Sequence, residues 1–124
     1  MALKIYIAAL FSRREEMEGY ANKLKQAGHE ITSSWVFGGE DGLTRTQIAL
    51  LDLGDVDKAD TIVSFTHQRG TPTPGGGRHV EFGYGLALGK RLILIGEREN
   101  VFHHHPKVDV FPDLKTFIEA TCVS

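Results

Sequence analysis

Glu81 stands in a stretch of sequence that is suited to chemistry on a bound ligand. Residues 72–90 start with two prolines and continue through three consecutive glycines, which predicts a stiffened loop, a glycine hinge and a short helix over residues 78–88. Glu81 falls in the first turn of that predicted helix. Free backbone N–H groups and the positive end of the helix dipole lie there, so we expect its carboxylate to stay ionised and an anionic ligand to bind nearby. The hinge glycines are Gly75, Gly76 and Gly77.

Glycines inside the same predicted helix have two interpretations. Tyr84 and Gly85 follow Glu81 by three and four residues and share its face. A helical glycine costs about 1 kcal/mol relative to alanine, so one interpretation is that Gly85 leaves room for a ligand over Glu81. The other is that small residues let the helix pack closely on a sheet, with Glu81 as an N-terminal charge. These small residues are Gly83, Gly85 and Ala87.

A carboxylate nucleophile is the group that glycosyl chemistry uses. It attacks an anomeric carbon and leaves again through an oxocarbenium-like transition state, and a second acidic or polar group usually assists the leaving group. Candidates for that second group are Asp52, Asp55, Asp57 and Asp60, just before the third predicted strand. Asp57 and Asp60 are favoured as solvated or capping residues. Asp52 either points toward a cleft or is a solvent-exposed helix residue.

Further polar residues have both a functional and a structural interpretation. The Tyr6 hydroxyl, on the first predicted strand, either reaches the cleft or is satisfied in the core. Arg13 follows Ser12 at a helix N-terminus, where it would hold a phosphate or be an ordinary surface arginine. The glycine hinge with Arg78 is the better phosphate cradle, although it is not a Walker A loop because no Lys-Ser/Thr follows the glycines.

Three consecutive histidines, His103, His104 and His105, suggest a metal site at first sight. Adjacent residues cannot all point at one ion in a regular element, and no Glu or Cys pattern accompanies them at ligand spacing. We therefore predict a polar loop at the rim of the cleft or at a subunit contact, and no metal site.

Composition predicts one ordinary globular domain over residues 1–124. The chain is 41% hydrophobic and 24% charged with a net charge of −2, and it has no basic stripe, so we expect no nucleic-acid partner. No apolar run approaches the roughly 20 residues that span a bilayer, and no signal peptide is evident, so we expect no membrane association and a cytoplasmic location. The single cysteine, Cys122, excludes an internal disulfide.

Strands and helices alternate along the chain. Continuous apolar runs predict buried strands, and helical spacing predicts the segments between them. Ser12 with Glu15 forms a capping-box pattern for the first helix, which Gly28 ends, and Asp113 is predicted to cap the last. Predicted strands cover residues 3–9, 30–36, 61–65, 91–95 and 108–111, and predicted helices cover 12–27, 44–58, 78–88 and the residues after 113.

This alternation predicts an α/β fold with a doubly wound, parallel five-stranded sheet. We expect the flavodoxin-like, or Rossmann-like, strand order 2-1-3-4-5, because each crossover must be right-handed. Ligands of such folds bind outside the carboxyl ends of the strands, at the switch point between strands 1 and 3. The loop after strand 1 should therefore bring Phe11, Ser12 and Arg13 to the same cleft as the glycine hinge and Glu81.

With these residues placed, the chain resembles the nucleoside 2-deoxyribosyltransferase family, which includes deoxynucleoside-5′-monophosphate N-glycosidases. The resemblance covers most of the chain. It rests on Lys-Ile-Tyr-Ile-Ala-Ala-Leu-Phe at residues 4–11, on residues 52–60 leading into Thr-Ile-Val-Ser-Phe, and on Gly-Gly-Arg-His-Val-Glu-Phe-Gly-Tyr-Gly-Leu-Ala-Leu-Gly-Lys at 76–90. The resemblance implies that Glu81 is the nucleophile of a covalent glycosyl intermediate, that Tyr6 positions it, and that Asp52 handles the base. It implies no metal and no organic cofactor.

Two departures from the family pattern bear on the substrate. The transferases usually carry an aspartate six residues before the nucleophile, where this chain has Gly75. The monophosphate N-glycosidases have small residues in that loop, whose backbone binds the 5′-phosphate, so residues 75–77 favour a nucleotide hydrolase. Family members also share a residue across a homodimer or larger homo-oligomer, and residues 100–105 are where we look for it, although none matches clearly.

The leading hypothesis is therefore an enzyme of nucleotide salvage that cleaves the N-glycosidic bond of a nucleoside or its 5′-monophosphate and passes the sugar to another base or to water. A second hypothesis is a non-catalytic nucleotide-binding or sensing module on the same fold. A third is a flavodoxin-like electron carrier, which the absence of a Thr/Ser-rich loop directly after the first strand disfavours.

Overall fold

The fold is a parallel five-stranded sheet with order β2-β1-β3-β4-β5, which confirms the predicted topology. A computed structural model describes residues 2–66 and 76–121, so Gly75 and Cys122 lie outside the described residues. Each neighbouring pair of strands is parallel; Tyr6 of β1 lies opposite Ile62 of β3, for example. The strands are β1 Lys4–Ala8, β2 Glu30–Ile31, β3 Thr61–Phe65, β4 Arg91–Ile95 and β5 Val108–Phe111.

Four α-helices of the described residues connect and flank the strands, and two of them begin at side-chain caps, of which Asp113 is the predicted one. Thr44 and Gln47 form a reciprocal capping box at the start of α2, and Asp113 accepts from the Thr116 backbone N–H at the start of α4. None of the helices within residues 2–66 and 76–121 is long and apolar enough to cross a bilayer. The helices are α1 Arg14–Gln26, α2 Arg45–Lys58, α3 Gly77–Ala87 and α4 Leu114–Thr121.

The first predicted helix begins differently from the sequence prediction. Ser12 does not cap it: the chain first turns through a 3₁₀ helix at Phe11–Arg13, where the Arg13 N–H donates to Leu10 O at 2.9 Å. The α-helical part starts at Arg14, and no side chain caps either helix start. The predicted Ser12–Glu15 capping box is therefore wrong, because the backbone itself satisfies the first donors.

The second strand is much shorter than predicted. Only Glu30–Ile31 pairs with β1, and a 3₁₀ helix at Ser34–Phe37 takes the place of the expected strand end. Tertiary contacts explain the difference. The Ser34 N–H donates to Asp55 Oδ2 at 3.0 Å, and Trp35 Nε1 donates to Ile7 O at 2.8 Å, so the chain turns toward α2 and β1 and does not continue along the sheet edge.

Helix α3 packs directly on β3 through one of its glycines. A Cβ placed on Gly85 would lie 2.5 Å from Cγ1 of Ile62, whereas a Cβ on Gly83 would meet no atom within 4 Å. The close-packing interpretation is therefore correct for Gly85, and the interpretation that Gly85 leaves room for a ligand is wrong. Tyr84 is also turned away from Glu81, because its hydroxyl donates to Asp57 Oδ1 at 2.7 Å.

These two glycines give a matched test of the packing. We expect Gly85→Ala to lower the free energy of unfolding by about 1–3 kcal/mol, because Ile62 or the helix backbone must move. Gly83→Ala should raise it by up to about 1 kcal/mol, because alanine favours the helix and space is open. Urea unfolding of both variants measures the difference, and equal effects of the two substitutions would contradict the packing argument.

Candidate active site

One cavity opens at the carboxyl ends of β1 and β3, where the strand order reverses. Its volume is about 280 Å³. The residues after β1, the start of α3, and side chains from α2 and from the loop before it all line the cavity. This is the predicted switch-point location. The lining residues are Ala9, Leu10, Phe11, Trp35, Glu40, Asp52, Gly77, Arg78 and Glu81.

Glu81, which lines this cavity, is joined directly to Tyr6 behind it. Tyr6 projects from the interior strand β1 with no solvent exposure, and its hydroxyl donates to Glu81 Oε2 at 2.6 Å. The contact expected between these side chains is therefore present. Helix α3 begins at Gly77, so Glu81 is its fifth residue and lies beyond the first turn. The predicted first-turn position is wrong, and the helix dipole acts on Glu81 less than expected because its effect falls off within that turn.

The protonation of Glu81 also differs from the sequence prediction. The pKa of Glu81 is raised to about 7: burial raises it most, the hydrogen bond from Tyr6 lowers it, and the negative charge of Glu40 raises it. A carboxyl removed from water favours its neutral form unless donors compensate. The expectation of a carboxylate that stays fully ionised is therefore wrong at neutral pH, where Glu81 is divided between its two forms.

Asp52 lies in the same cavity as Glu81 and is held in its protonated form. Burial raises the pKa of Asp52 to about 8, helped by a hydrogen bond with Glu40 and by the charges of Glu40, Glu81 and Asp55. Its Oδ1 atom is buried and has no hydrogen-bond partner among the described residues. The solvent-exposed alternative for Asp52 is therefore excluded.

The neighbouring aspartates have structural partners outside the cavity. Asp55 is buried and accepts from Ser34, whereas Asp57 is exposed and accepts from Tyr84. Asp60 accepts from the Thr61 hydroxyl at 2.8 Å. The solvated or capping interpretation of the last two is thus in line with their contacts.

An aromatic wall closes one side of the cavity. The rings of Phe11 and Trp35 lie 6.2 Å apart between centroids at 37°, and Phe11 is 61% exposed while Trp35 is almost fully buried. A flat heterocycle stacks favourably on such rings. Trp35 and Glu40 were not predicted as site residues. The glycine- and acid-rich segment 37–43, which begins two residues after the only tryptophan, is the signal in the sequence that points to them.

Two of the predicted phosphate-binding residues lie outside the cavity. Ser12 and Arg13 line a separate surface depression over residues 11–16. Arg13 is also engaged, because its Nε and Nη2 donate to Glu16 at 2.7 and 2.9 Å. The structure therefore brings Phe11 to the cavity without the two residues that follow it.

Arg78 lines the cavity but is already paired. It is buried, its two terminal nitrogens donate to the Glu99 carboxylate, and the Nη2–Oε2 distance is 2.9 Å. Its Nε is buried without a hydrogen-bond partner among the described residues. Of the hinge glycines, Gly77 lines the cavity and Gly76 stands at the N-terminal end of α3.

The histidine run does not form a polar rim. His103 is buried, accepts from the Glu99 N–H at 2.8 Å and meets the Phe82 ring edge-on at 5.1 Å. Burial lowers the pKa of His103 to about 4, so the ring is neutral. His104 is exposed, and His105 Nδ1 accepts from the Lys107 N–H. Within residues 2–66 and 76–121, no three His, Cys, Asp or Glu side chains are grouped so that they could hold a metal ion.

Comparison with solved structures finds the same fold in enzymes that act on nucleosides and nucleotides. A CMP N-glycosidase of Clostridium botulinum superposes with a TM-score of 0.63 and 18% identity, covering 94% of this chain and 96% of that one. A 2-deoxyribosyltransferase of Bacillus psychrosaccharolyticus superposes with a TM-score of 0.73 and 22% identity, covering 93% of this chain and 90% of that one. A 2-deoxyribosyltransferase of Leishmania mexicana superposes with a TM-score of 0.67 and 19% identity, covering 96% of this chain and 99% of that one. No protein-family model and no curated protein matches the sequence.

Proposed function

We propose that this chain is a member of the nucleoside 2-deoxyribosyltransferase family and cleaves the N-glycosidic bond of a nucleoside or its 5′-monophosphate. The observation that carries the proposal is the pair of acids in one cavity, Glu81 bound by Tyr6 and Asp52 held protonated. When their environments give two carboxyls different pKa values, one serves as the nucleophile and the other as the acid of the same reaction. The shared fold of an N-glycosidase and two deoxyribosyltransferases supports this reaction class.

The proposed reaction uses the ionised fraction of Glu81 and the protonated form of Asp52. The Glu81 carboxylate attacks C1′, and the bond from C1′ to the base nitrogen breaks with its electron pair going to the base. Asp52 gives its proton to the departing base. Water or a second base then attacks C1′, which releases Glu81 as a carboxylate, and the proton that the attacking group loses goes back to Asp52. The aromatic wall of Phe11 and Trp35 is proposed to stack against the base.

The start of α3 is the proposed place for a 5′-phosphate. Gly77 lines the cavity, and the buried Arg78 Nε has an N–H without a partner among the described residues. Backbone N–H groups at a helix N-terminus bind anions. This part of the proposal also includes Gly75 and Gly76, and it favours a nucleotide hydrolase over a transferase.

We also propose that the enzyme works as a homo-oligomer, a dimer or larger, in which a second copy contributes to the cavity. The 3₁₀ helix Val101–His104 carries Val101 and Phe102, which are 73% and 65% exposed. A protein that sediments as a monomer at assay concentration and still turns over substrate would contradict this.

Turnover of a defined panel tests the proposed function. The purified protein is incubated with deoxy- and ribonucleosides and their 5′-monophosphates, with and without a second free base, and the bases are separated by chromatography. Release of a free base shows hydrolysis, and a new nucleoside shows transfer. A nucleotide that raises the melting temperature but is returned unchanged would contradict the proposal and favour a binding or sensing module.

The Tyr6 hydrogen bond predicts a specific pH effect. Tyr6→Phe removes the donor that lowers the pKa of Glu81, so that pKa should rise above its value of about 7. Because the nucleophile must be ionised, the acidic limb of the kcat/KM profile should move to higher pH, by about one unit for one lost hydrogen bond to a charged group. Tyr20→Phe, which removes a hydroxyl bonded to Glu16, is the matched control. An equal loss of kcat/KM at every pH would contradict the role of Tyr6 in lowering the pKa of Glu81.

A further inference from the structure

We propose that Glu40 is a positioning residue that keeps a proton on Asp52, so that the two carboxyls act as one acid at the base end of the cavity. This inference rests on the proposed function. Both side chains line the cavity that contains Glu81, and the Glu40 carboxyl, as a hydrogen-bond partner and as a negative charge, raises the pKa of Asp52. Two carboxyls can share a hydrogen bond only when one of them carries a proton.

The backbone before Glu40 fixes where its side chain lies. Gly38 has a φ of 83°, in the left-handed region, which a side chain disfavours. A Cβ placed on Gly39 would lie 2.7 Å from Cβ of Ser34, and the Gly39 N–H donates to Ser34 O at 2.9 Å. The Leu43 N–H donates to Glu40 O at 3.1 Å. The turn is therefore built tightly on the Ser34–Phe37 3₁₀ helix, and Glu40 is held by it.

The same turn is anchored to α2, the helix that carries Asp52. Asp55 accepts from both the N–H and the hydroxyl of Ser34, at the start of the 3₁₀ helix. Asp52 lies three residues before Asp55 and so faces the same side of α2. The hydrogen bonds to Asp55 hold the 3₁₀ helix against α2. The turn that follows the 3₁₀ helix therefore brings Glu40 close to Asp52.

The charges around Asp52 favour one shared proton. A second negative charge beside a buried acid disfavours ionisation of both, as in paired-carboxyl sites. Asp52 Oδ1 is buried without a donor among the described residues, so its ionised form is poorly solvated. Arg78, the cation that lines the same cavity, is ion-paired with Glu99. The titratable and charged groups that face Asp52 or line its cavity are Tyr6, Glu40, Asp55, Arg78 and Glu81.

The proton between Glu40 and Asp52 has a defined path in the proposed reaction. It goes from Asp52 to the departing base as the C1′–N bond breaks, which leaves the pair with two negative charges. When water attacks C1′, its hydroxide part joins the sugar and its proton returns to the pair. Glu40 touches neither C1′ nor the nucleophile in this scheme. Its effect on proton donation passes through Asp52, and its charge also raises the pKa of Glu81.

Glu40→Gln tests this role through the pH dependence of cleavage. Without the Glu40 charge the pKa of Asp52 should fall, so the basic limb of the kcat/KM profile should move to lower pH by about one unit or more. Near pH 8 kcat/KM should be about fivefold lower than in the wild type, and the acidic limb should also move to lower pH, because the Glu40 charge raises the pKa of Glu81 as well. Asp41→Asn removes a charge from the same turn without facing Asp52, and its profile should match the wild type.

A titration without substrate completes the test. The ¹³C resonance of the Asp52 carboxyl, followed by NMR against pH, should show a lower midpoint in Glu40→Gln than in the wild type and in Asp41→Asn. An unmoved midpoint and an unmoved basic limb in an active enzyme would overturn the role of Glu40 and leave the proposed function intact. A shifted midpoint in a protein that cleaves no member of the panel would instead overturn the proposed function, and with it the role of the pair as proton donor.

Discussion

Glu81→Gln is expected to lower kcat for N-glycosidic cleavage on the order of 10³-fold or more, the largest effect of any single substitution in the chain. An amide cannot form the glycosyl ester, although it has nearly the shape of the carboxyl. Its oxygen still accepts from Tyr6, so the site should keep its geometry. Rapid-quench kinetics with the best substrate of the panel measures the loss, and mass spectrometry of denatured wild-type enzyme during turnover should show a sugar-sized adduct on Glu81.

Two controls separate this loss from misfolding. Glu18→Gln changes an exposed carboxylate in the middle of α1 and should keep full activity. The folded-state pKa of Glu81 is raised above its ordinary value, so Glu81 contributes stability at low pH that is lost as the pH rises to about 7. Glu81→Gln should therefore be at least as stable as the wild type at pH 8. A stable Glu81→Gln protein with wild-type turnover would end the proposed mechanism.

Asp52→Asn is expected to lower kcat/KM by about 10²–10⁴-fold for natural bases, because an asparagine amide has no acidic proton to give to the leaving group. A nitrophenyl glycoside, whose leaving group departs as an anion without a proton, should be far less affected. Asp57→Asn, in the same helix but exposed and bonded to Tyr84, is the matched control and should leave both reactions unchanged. An equal loss with both leaving groups would show that Asp52 does not act as an acid.

Together these two acids predict a narrow pH optimum. Below about 7 Glu81 takes up a proton and loses its nucleophilicity, and above about 8 Asp52 loses the proton that the base requires. The active form, one carboxylate and one neutral acid, is therefore most abundant between these values. Because the acids interact, the two limbs belong to the cluster and not to one residue each.

The sheet was predictable because its signals are local. Three of the five strands, β1, β3 and β4, are short apolar runs between polar segments, and α4 starts at the predicted cap Asp113. The short β2 was not predictable in the same way. Ser34 and Trp35 suit a strand by type, but their partners, Asp55 and Ile7, are more than 20 residues away in the chain.

Most residues of the candidate site were predictable, but their burial and pKa values were not. Topology predicted the cleft and Glu81 in it, the family resemblance implied that Asp52 and Tyr6 join it, and the structure brings the three side chains to one region. The raised pKa of Glu81 was not predictable because it depends on burial, which a one-dimensional pattern does not contain. Glu40 was missed for the same reason, since only the folded turn brings it to Asp52.

The position of Trp35 has a practical consequence for work on this protein. It is the only tryptophan in the chain, and its ring forms part of the cavity wall beside Phe11. Light emitted by this one fluorophore therefore comes from the candidate site. A change in its intensity or wavelength when a small molecule is added is assigned to that location without labelling, so occupancy can be followed even in variants that have no turnover.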